Sequence, residues 1–241
     1  AFQVLTPLKL LELSNPNQPL LKKLLLEAPG TYHHSVLVGN LSEAAAEEIG
    51  ANPLITRVGA YYHDIGKLKR PFFFKENQFG YDNPHDKLNP SLSTLIITNH
   101  TKDGLAMAEK YNLPKEIKDI IIQHHGDTIV AYFYYKALKG ENGDNIKMED
   151  FRYKGQKPQT KEAAIIMLSD SVEAAVRSIK EPNKGKIDEM VRNVIKGKLE
   201  DGQLEECDLT LKDLNTIANI FCTVLLGIFH DRIEYPKLDL K

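Results

Sequence analysis

Residues 55–67 read Ile55-Thr56-Arg57-Val58-Gly59-Ala60-Tyr61-Tyr62-His63-Asp64-Ile65-Gly66-Lys67, an apolar run closing on an imidazole, a carboxylate, a turn glycine and an ammonium. Asn52-Pro53 supplies an N-cap and a proline at the first helical position, so the run predicts a helix that ends at His63-Asp64. Neighbouring residues on a helix point about 100° apart. His63 can therefore bind one metal ion while the two oxygens of Asp64 reach that ion and a second one. The pair anchors a bridged site only if the rest of the chain supplies partners.

Working outward toward the N-terminus, leucines fall at helical spacing from Val4 to Ser14, and Asn15-Pro16-Asn17 breaks the pattern before a second run, Pro19 to Ala28, closed by Pro29-Gly30. Thr31 is the expected cap of a long helix to about Ile49, with Gly50 as its stop. On the other side, Lys67 to Lys87 has no periodicity and many turn formers, which predicts a long loop. Phe72-Phe73-Phe74 would expose a large apolar patch if the loop were free, so a lid or a packed rim is expected.

Asn89-Pro90 opens a helix to about His100, and a further run passes Gly104 to Tyr111-Asn112. Leu113-Pro114 starts a helix whose Ile117, Ile120, Ile121 and Ile122 lead into His124-His125-Gly126. Asp127 or Thr128 is the expected cap of an aromatic helix that stops near Gly140, and polar residues 141–159 predict an exposed, mobile loop. Thr160 starts the most apolar helix of the second half, which carries Asp170, and amphipathic segments follow at 187–199 and 209–234. No stretch alternates as a strand would, and no internal repeat stands out. The fold class is all-α.

Composition narrows the function. The 241 residues are 42% hydrophobic and 27% charged, as in globular proteins, and the formal net charge of -2 offers no broad basic field for a nucleic-acid polymer. Ile217 to Phe229, the longest apolar stretch, falls short of the ~20 residues of a spanning helix, so this piece is not expected to cross a membrane. Cys207 and Cys222 form no CxxC and fit a reducing, cytoplasmic compartment. Ala1-Phe2-Gln3 lacks an initiator methionine and a signal pattern, which suggests a fragment or a processed chain.

Of eight histidines, His34, His63, His100, His124 and His125 each accompany an apolar helical segment. Asp170 lies beside Ile165-Ile166-Met167-Leu168, where an ionised carboxylate is expensive to bury unless paired or metal-bound; the alternative is an outward-facing Asp beside Ser169, Ser171 and Glu173. Imidazole with carboxylate suits iron, manganese or zinc, and no cysteine lies near to make a thiolate site. With Asp64 the set exceeds the tetrahedral shell of one zinc, so two ions are expected. A natural division gives one ion His34, His63, Asp64 and Asp170, and the other His100, His124, His125 and the second oxygen of Asp64.

The ordered set His34, His63-Asp64, His100, His124-His125, Asp170 resembles the metal-dependent HD phosphohydrolase superfamily, in the form whose extra histidines build a binuclear centre. More narrowly, Tyr32-His33-His34-Ser35, His63-Asp64-Ile65-Gly66-Lys67, Asn83-Pro84-His85-Asp86-Lys87-Leu88, His100-Thr101-Lys102-Asp103-Gly104, His124-His125-Gly126 and Ser169-Asp170-Ser171-Val172-Glu173-Ala174-Ala175 resemble the cytosolic domain of seven-transmembrane HD receptors, the PgpH type of cyclic di-AMP phosphodiesterase. The resemblance implies one HD-type helical bundle over 1–241, its core about 19–180 and a C-terminal helical extension about 181–241. It further implies two divalent ions, iron or manganese, and hydrolysis of cyclic di-AMP to linear pApA in the cytosolic part of a membrane protein. Self-association as a homodimer stays open. The cyclic di-GMP sister family follows its paired histidines with a glutamate and soon Gly-Tyr-Pro, whereas Gly126-Asp127-Thr128-Ile129 stands here.

Asp64 and Lys67 are the expected catalytic residues, with Lys67 donating to a nonbridging phosphate oxygen. Arg177, two turns after Asp170, is a candidate for a second phosphate, against the alternative of an i,i+4 ion pair with Glu173. Tyr61, Phe72, Phe73, Phe74, Tyr81 and Phe133 are candidate stacking surfaces for bases. Two other readings stand beside hydrolysis: a binuclear-iron HD oxygenase, and a nucleotide-sensing module with little turnover.

Overall fold

The computed structural model describes residues 5–78, 80–140 and 146–228. Its first helices share one sequence device, a proline in the opening turn: α1 (Pro7–Leu13), α2 (Pro19–Glu27), α3 (Pro29–Glu48), α4 (Pro53–Tyr62) and α5 (Pro90–Thr98). A first-turn N–H has no helical partner, so proline loses nothing there. Thr6, Asn52 and Asn89 add side-chain caps that accept from the N–H three residues on. The chain continues through α6 (His100–Lys110), α7 (Lys115–Gln123), α8 (Ala131–Leu138), α9 (Lys161–Arg177), α10 (Lys184–Glu200) and α11 (Leu211–Ile228). No strand occurs among the described residues, only an isolated bridge between Ile129 and Arg152.

Two apolar cores flank the middle of the molecule. One joins α3 and α9 to α10 and α11 through Leu41, Ile165, Leu168, Ile187, Val191 and Phe221. The other joins α1, α2, α4 and α7 through Leu10, Leu24, Val58, Tyr62, Ile117 and Ile121. The C-terminal helices therefore share a core with α3 and α9. The 3-10 turn Ile65–Lys69, whose Ile65 and Leu68 belong to the second core, presses on α6 so closely that a Cβ on Gly66 would lie 1.8 Å from the His100 carbonyl oxygen. Gly104 makes room from the α6 side, which is why it sits inside a helix rather than ending one.

Several expectations change. Thr31 is the third residue of α3, not its cap, and is buried: its N–H donates to Asn77 Oδ1 and its hydroxyl to Glu76 Oε1. The 67–87 segment is a packed rim of 3-10 turns in which Phe74 is buried and Phe72 exposed. Neither Asp127 nor Thr128 caps α8, which starts after Val130; Thr128 donates instead to the His125 carbonyl. Within 141–159, residues 141–145 lie outside the described part, and the rest is tied down rather than free. Val130 N–H donates to Phe151, Tyr153 N–H to Thr128 and Gly155 N–H to Gly126, and Phe151 is buried. The end of the 209–234 segment lies outside the described residues, as does Val4 at the start of the first run.

The segment α11 also corrects the membrane estimate, because its 18 residues with mean hydropathy 1.3 are long and apolar enough to span by length and composition. Leu214, Ile217, Phe221 and Leu225 nevertheless face the core.

Candidate metal centre

The helix ends converge where the two cores meet. His63 follows α4, His100 opens α6, and His124 and His125 follow α7, while His34 and Asp170 project from the long helices α3 and α9. His63 is fully buried, Asp64 is 1% exposed and Asp170 8%. The outward alternative for Asp170 is thereby removed. Ligand atoms of His34, His63 and Asp170 lie within 4.8 Å of one another, and so do those of Asp64, His100, His124 and His125.

The two oxygens of Asp64 divide between these groups. Oδ2 lies 3.2 Å from His63 Nε2 and 3.7 Å from His34 Nε2, whereas Oδ1 lies 3.2 Å from His100 Nε2 and 3.8 Å from His124 Nε2. Within the first group, His34 Nε2 is 3.0 Å and His63 Nε2 3.8 Å from Asp170 Oδ1. Asp64 stands between the groups, as its place beside His63 predicts.

Ring orientation follows from local backbone geometry. At a helix end the carbonyl three residues back is free to accept, and His63, His100 and His124 each direct Nδ1 to it, on Ala60, Ile97 and Ile121 at 2.7, 2.6 and 2.9 Å. An Nδ1–H donated there aims Nε2 at the cluster, and in the neutral ring that nitrogen is the one free to serve as a ligand. His34 has no free carbonyl in mid-helix, and its Nδ1 lies 2.7 Å from Glu173 Oε2 instead.

Charge is concentrated to match. Burial resists ionisation of Asp64, but the charges of His63 and Lys67 outweigh it and hold the carboxyl well below its usual range. Burial likewise opposes the proton on His34, and hydrogen bonds to Asp170 and Glu173 prevail, raising it to about 9. Burial disfavours a charge on His124, and repulsion by His63 and His100 adds to it, lowering the group to about 3. Ligation needs a neutral ring, so a cation competes with a proton at His34.

Lys67 Nζ stands 2.6 Å from Asp64 Oδ2 and 2.9 Å from Glu76 Oε1. Burial works against its charge, yet Asp64 and Glu76 raise it above the ordinary lysine value. A cavity of about 440 Å³ opens beside the first group, lined by His34, Asp170, Lys67, Lys75, Glu76 and Arg177 among others. Arg177 reaches its wall while pairing with Glu173 through Nε at 3.0 Å. None of the aromatic candidates for base stacking lines this cavity: Tyr61 and Phe133 are core residues, Phe73 and Phe74 stand edge-on to His85 and His100, and Phe72 and Tyr81 are exposed.

The donor set fits a pair of divalent cations. His63 Nε2 and both Asp64 oxygens are buried without a hydrogen bond, Lys67 lying close but outside hydrogen-bond geometry. Each such atom costs about 1–3 kcal/mol, more when charged, unless something else satisfies it. Nitrogen and carboxylate oxygen in this mixture suit iron, manganese or zinc.

Glu173, Glu76 and Tyr153 join the site without belonging to the expected ligand set. Glu173 was findable, because it is three residues after Asp170 and shares its face. Glu76 and Tyr153 sit in aperiodic segments and gave no signal.

Helical fold and paired His/Asp groups together define the HD class, and the HD domain model matches residues 31–175: the chain belongs to the HD-domain family. Within that class it is similar to the cyclic-di-AMP phosphodiesterase PgpH of Bacillus subtilis (strain 168), at 60% identity over 100% of this chain and 34% of that protein. The PgpH of Listeria monocytogenes serotype 1/2a (strain 10403S) is 53% identical over 98% of this chain and 32% of that protein. The crystal structure of the L. monocytogenes PgpH HD domain in complex with cyclic-di-AMP superimposes with a TM-score of 0.85 at 53% identity, covering 90% of this chain and all of that one. The chain thus spans about a third of the length of the curated relatives it matches.

Proposed function

We propose that this chain is a metal-dependent cyclic dinucleotide phosphodiesterase, hydrolysing cyclic di-AMP to linear pApA. The observation that carries the reaction class is Asp64, whose two buried oxygens, neither with a hydrogen bond, each face a separate group of candidate ligands beside a cavity lined by Lys67, Lys75 and Arg177. His34, His63, Asp64 and Asp170 would hold one ion, and Asp64, His100, His124 and His125 the other. Two divalent ions, iron or manganese, would supply Lewis acidity that activates water near neutral pH and withdraws charge from a phosphate.

The chain's own groups do the remainder. Lys67, held by Asp64 and Glu76, presents an ammonium to a nonbridging phosphate oxygen at the cavity mouth. Glu173 fixes the ring of His34, and Arg177, on the wall of the same cavity, is the group assigned to a second phosphate of the substrate. Burial around His63, Asp64 and His124 keeps bulk water from screening these charges.

The adenine assignment is supported by the names of the B. subtilis and L. monocytogenes relatives and by the cyclic-di-AMP complex of the latter's HD domain. We further read the chain as one HD-type unit of a longer, membrane-attached protein, working on the cytosolic side; the relatives' greater length supports the first of these points, and the motif resemblance to the membrane receptors suggests the others. The test is kcat/KM for cyclic di-AMP and cyclic di-GMP under the same loading of Fe(II) or Mn(II). A site hydrogen-bonded to one base edge leaves the other base unpaired, so a preference for cyclic di-AMP of at least about tenfold is expected. Equal values or a guanine preference would remove the substrate assignment, and no hydrolysis of either with either metal would remove the reaction class.

A further inference from the structure

A ligand ring works only if something holds its orientation. Four of the candidate histidines have a hydrogen bond at Nδ1 for this purpose. Among the described residues, no hydrogen bond fixes either ring nitrogen of His125, whose polar contact is Asp170 Oδ2 at 3.7 Å from Nδ1. It is held by faces instead. The Tyr153 ring lies over it with centroids 4.3 Å apart and planes 31° apart, and His124 flanks it at 4.1 Å.

Tyr153 is itself firmly placed. It is buried, its ring also meets His100 edge-on at 6.0 Å, and its N–H donates to Thr128 at 2.9 Å. On either side, Arg152 donates to the Asp127 carbonyl, and Gly155 approaches α7 so closely that a Cβ would lie 2.7 Å from both the Ile122 and the Gly126 oxygens. A strap that carries no ligand is thus pressed against the turn that carries two.

We propose that Tyr153 is the positioning residue of His125, its ring doing for that ligand what the carbonyls of Ala60, Ile97 and Ile121 do for the others. The proposal rests on the two-ion reading of the site. It assigns to residues 151–155 a part in the centre that their polar, aperiodic sequence does not announce. Since the rings that Tyr153 meets, those of His125 and His100, both belong to the second group, the ion of that group alone should feel its loss.

Titration of the metal-stripped chain with Mn(II), followed by calorimetry and by the Mn(II) electron-spin signal, tests this in the wild type, Tyr153→Leu and Tyr153→Phe. Two ions are expected in the wild type. Tyr153→Leu should keep one at wild-type affinity and bind the other about 10–100-fold more weakly, the usual effect of losing an outer partner. Tyr153→Phe, which keeps the ring, should restore both. Tyr153→Met repeats the test should the leucine variant not fold. Wild-type affinity for both ions in Tyr153→Leu, or equal weakening of both, would overturn the proposal, and so would a phenylalanine variant as impaired as the leucine one. A wild type that takes fewer than two Mn(II) ions would instead sink the two-ion reading beneath it.

Discussion

The two halves of the cluster are held by different forces. Around His34 and Asp170 the neighbours are charged: Glu173 on His34, Lys67 and Glu76 beside Asp64, and Arg177 on Glu173, with only His63 of that group turned to a backbone carbonyl. His34 and Asp170 border the cavity. Around His100, His124 and His125 the neighbours are backbone carbonyls and rings, those of Phe74 and Tyr153, and none of the three borders that cavity. One half is built to meet an anionic ligand, and the other to hold a geometry. Substitutions of charge should therefore act on turnover at the first half, and substitutions of shape on metal content at the second.

Asp64 turns one oxygen toward each half, so it gives the largest expected effect. Asp64→Ala should abolish turnover and deplete both ions, measured by metal analysis of anaerobically purified protein. A variant that kept two ions per chain would break the comparison, because the halves would then have no shared ligand. His63→Ala and Asp170→Ala should also abolish turnover, while leaving the second group's ligands intact.

Lys67→Ala comes next. The ammonium belongs to the charged half and is not a ligand, so metal content should stay at the wild-type value while kcat falls roughly ten- to a thousandfold, the scale of losing one preorganised donor. Full activity would return Lys67 to a structural ion pair with Glu76. Loss of metal along with activity would show that the ammonium shapes the ligand set instead.

The contrast also explains what the sequence could disclose. Every candidate ligand lies in or at the end of a regular helix, where apolar spacing betrays the face that turns inward, so His63, Asp64, His124 and Asp170 were legible. The Asn-Pro pairs that start α4 and α5 were equally readable, because they act on their own turn. The residues that aim the ligands were not. Glu76 arrives with a 3-10 turn clipped to Thr31 by Asn77, 46 residues away, and Tyr153 with a strap paired to the turn after α7. Neither contact has a period, and long-range pairing of irregular backbone leaves no pattern in a single chain. Thr31 was misjudged for the same reason: its hydroxyl serves the Glu76 rim rather than its own helix end.

Glu173→Gln sharpens the comparison further. Gln keeps the shape of the side chain but removes the carboxylate that fixes the His34 ring, so the ion of the first group should weaken by about 10–100-fold while the second group's ion is unmoved. This is the mirror image of the effect expected at Tyr153. Mn(II) titration separates them by which of the two affinities shifts, and equal shifts in both would mean that the halves do not act independently.

The smallest effect is expected at Arg177, where two roles compete for one guanidinium. It is paired with Glu173 on its own helix and its side chain is 46% exposed, and such pairs contribute about 0–1 kcal/mol to stability. It also stands at the cavity wall, where turning from Glu173 to a phosphate would exchange one partly screened anion for another. The net gain is therefore modest. Arg177→Ala should raise KM for the cyclic dinucleotide by about fivefold, the equivalent of ~1 kcal/mol, with kcat nearly unchanged, because the contact would be the same in the ground state and the transition state. Steady-state kinetics on the metal-loaded variant reads the split directly. An unchanged KM would confine Arg177 to its pair with Glu173, and a fall in kcat at constant KM would place its influence on the His34 side of the cluster rather than on the substrate.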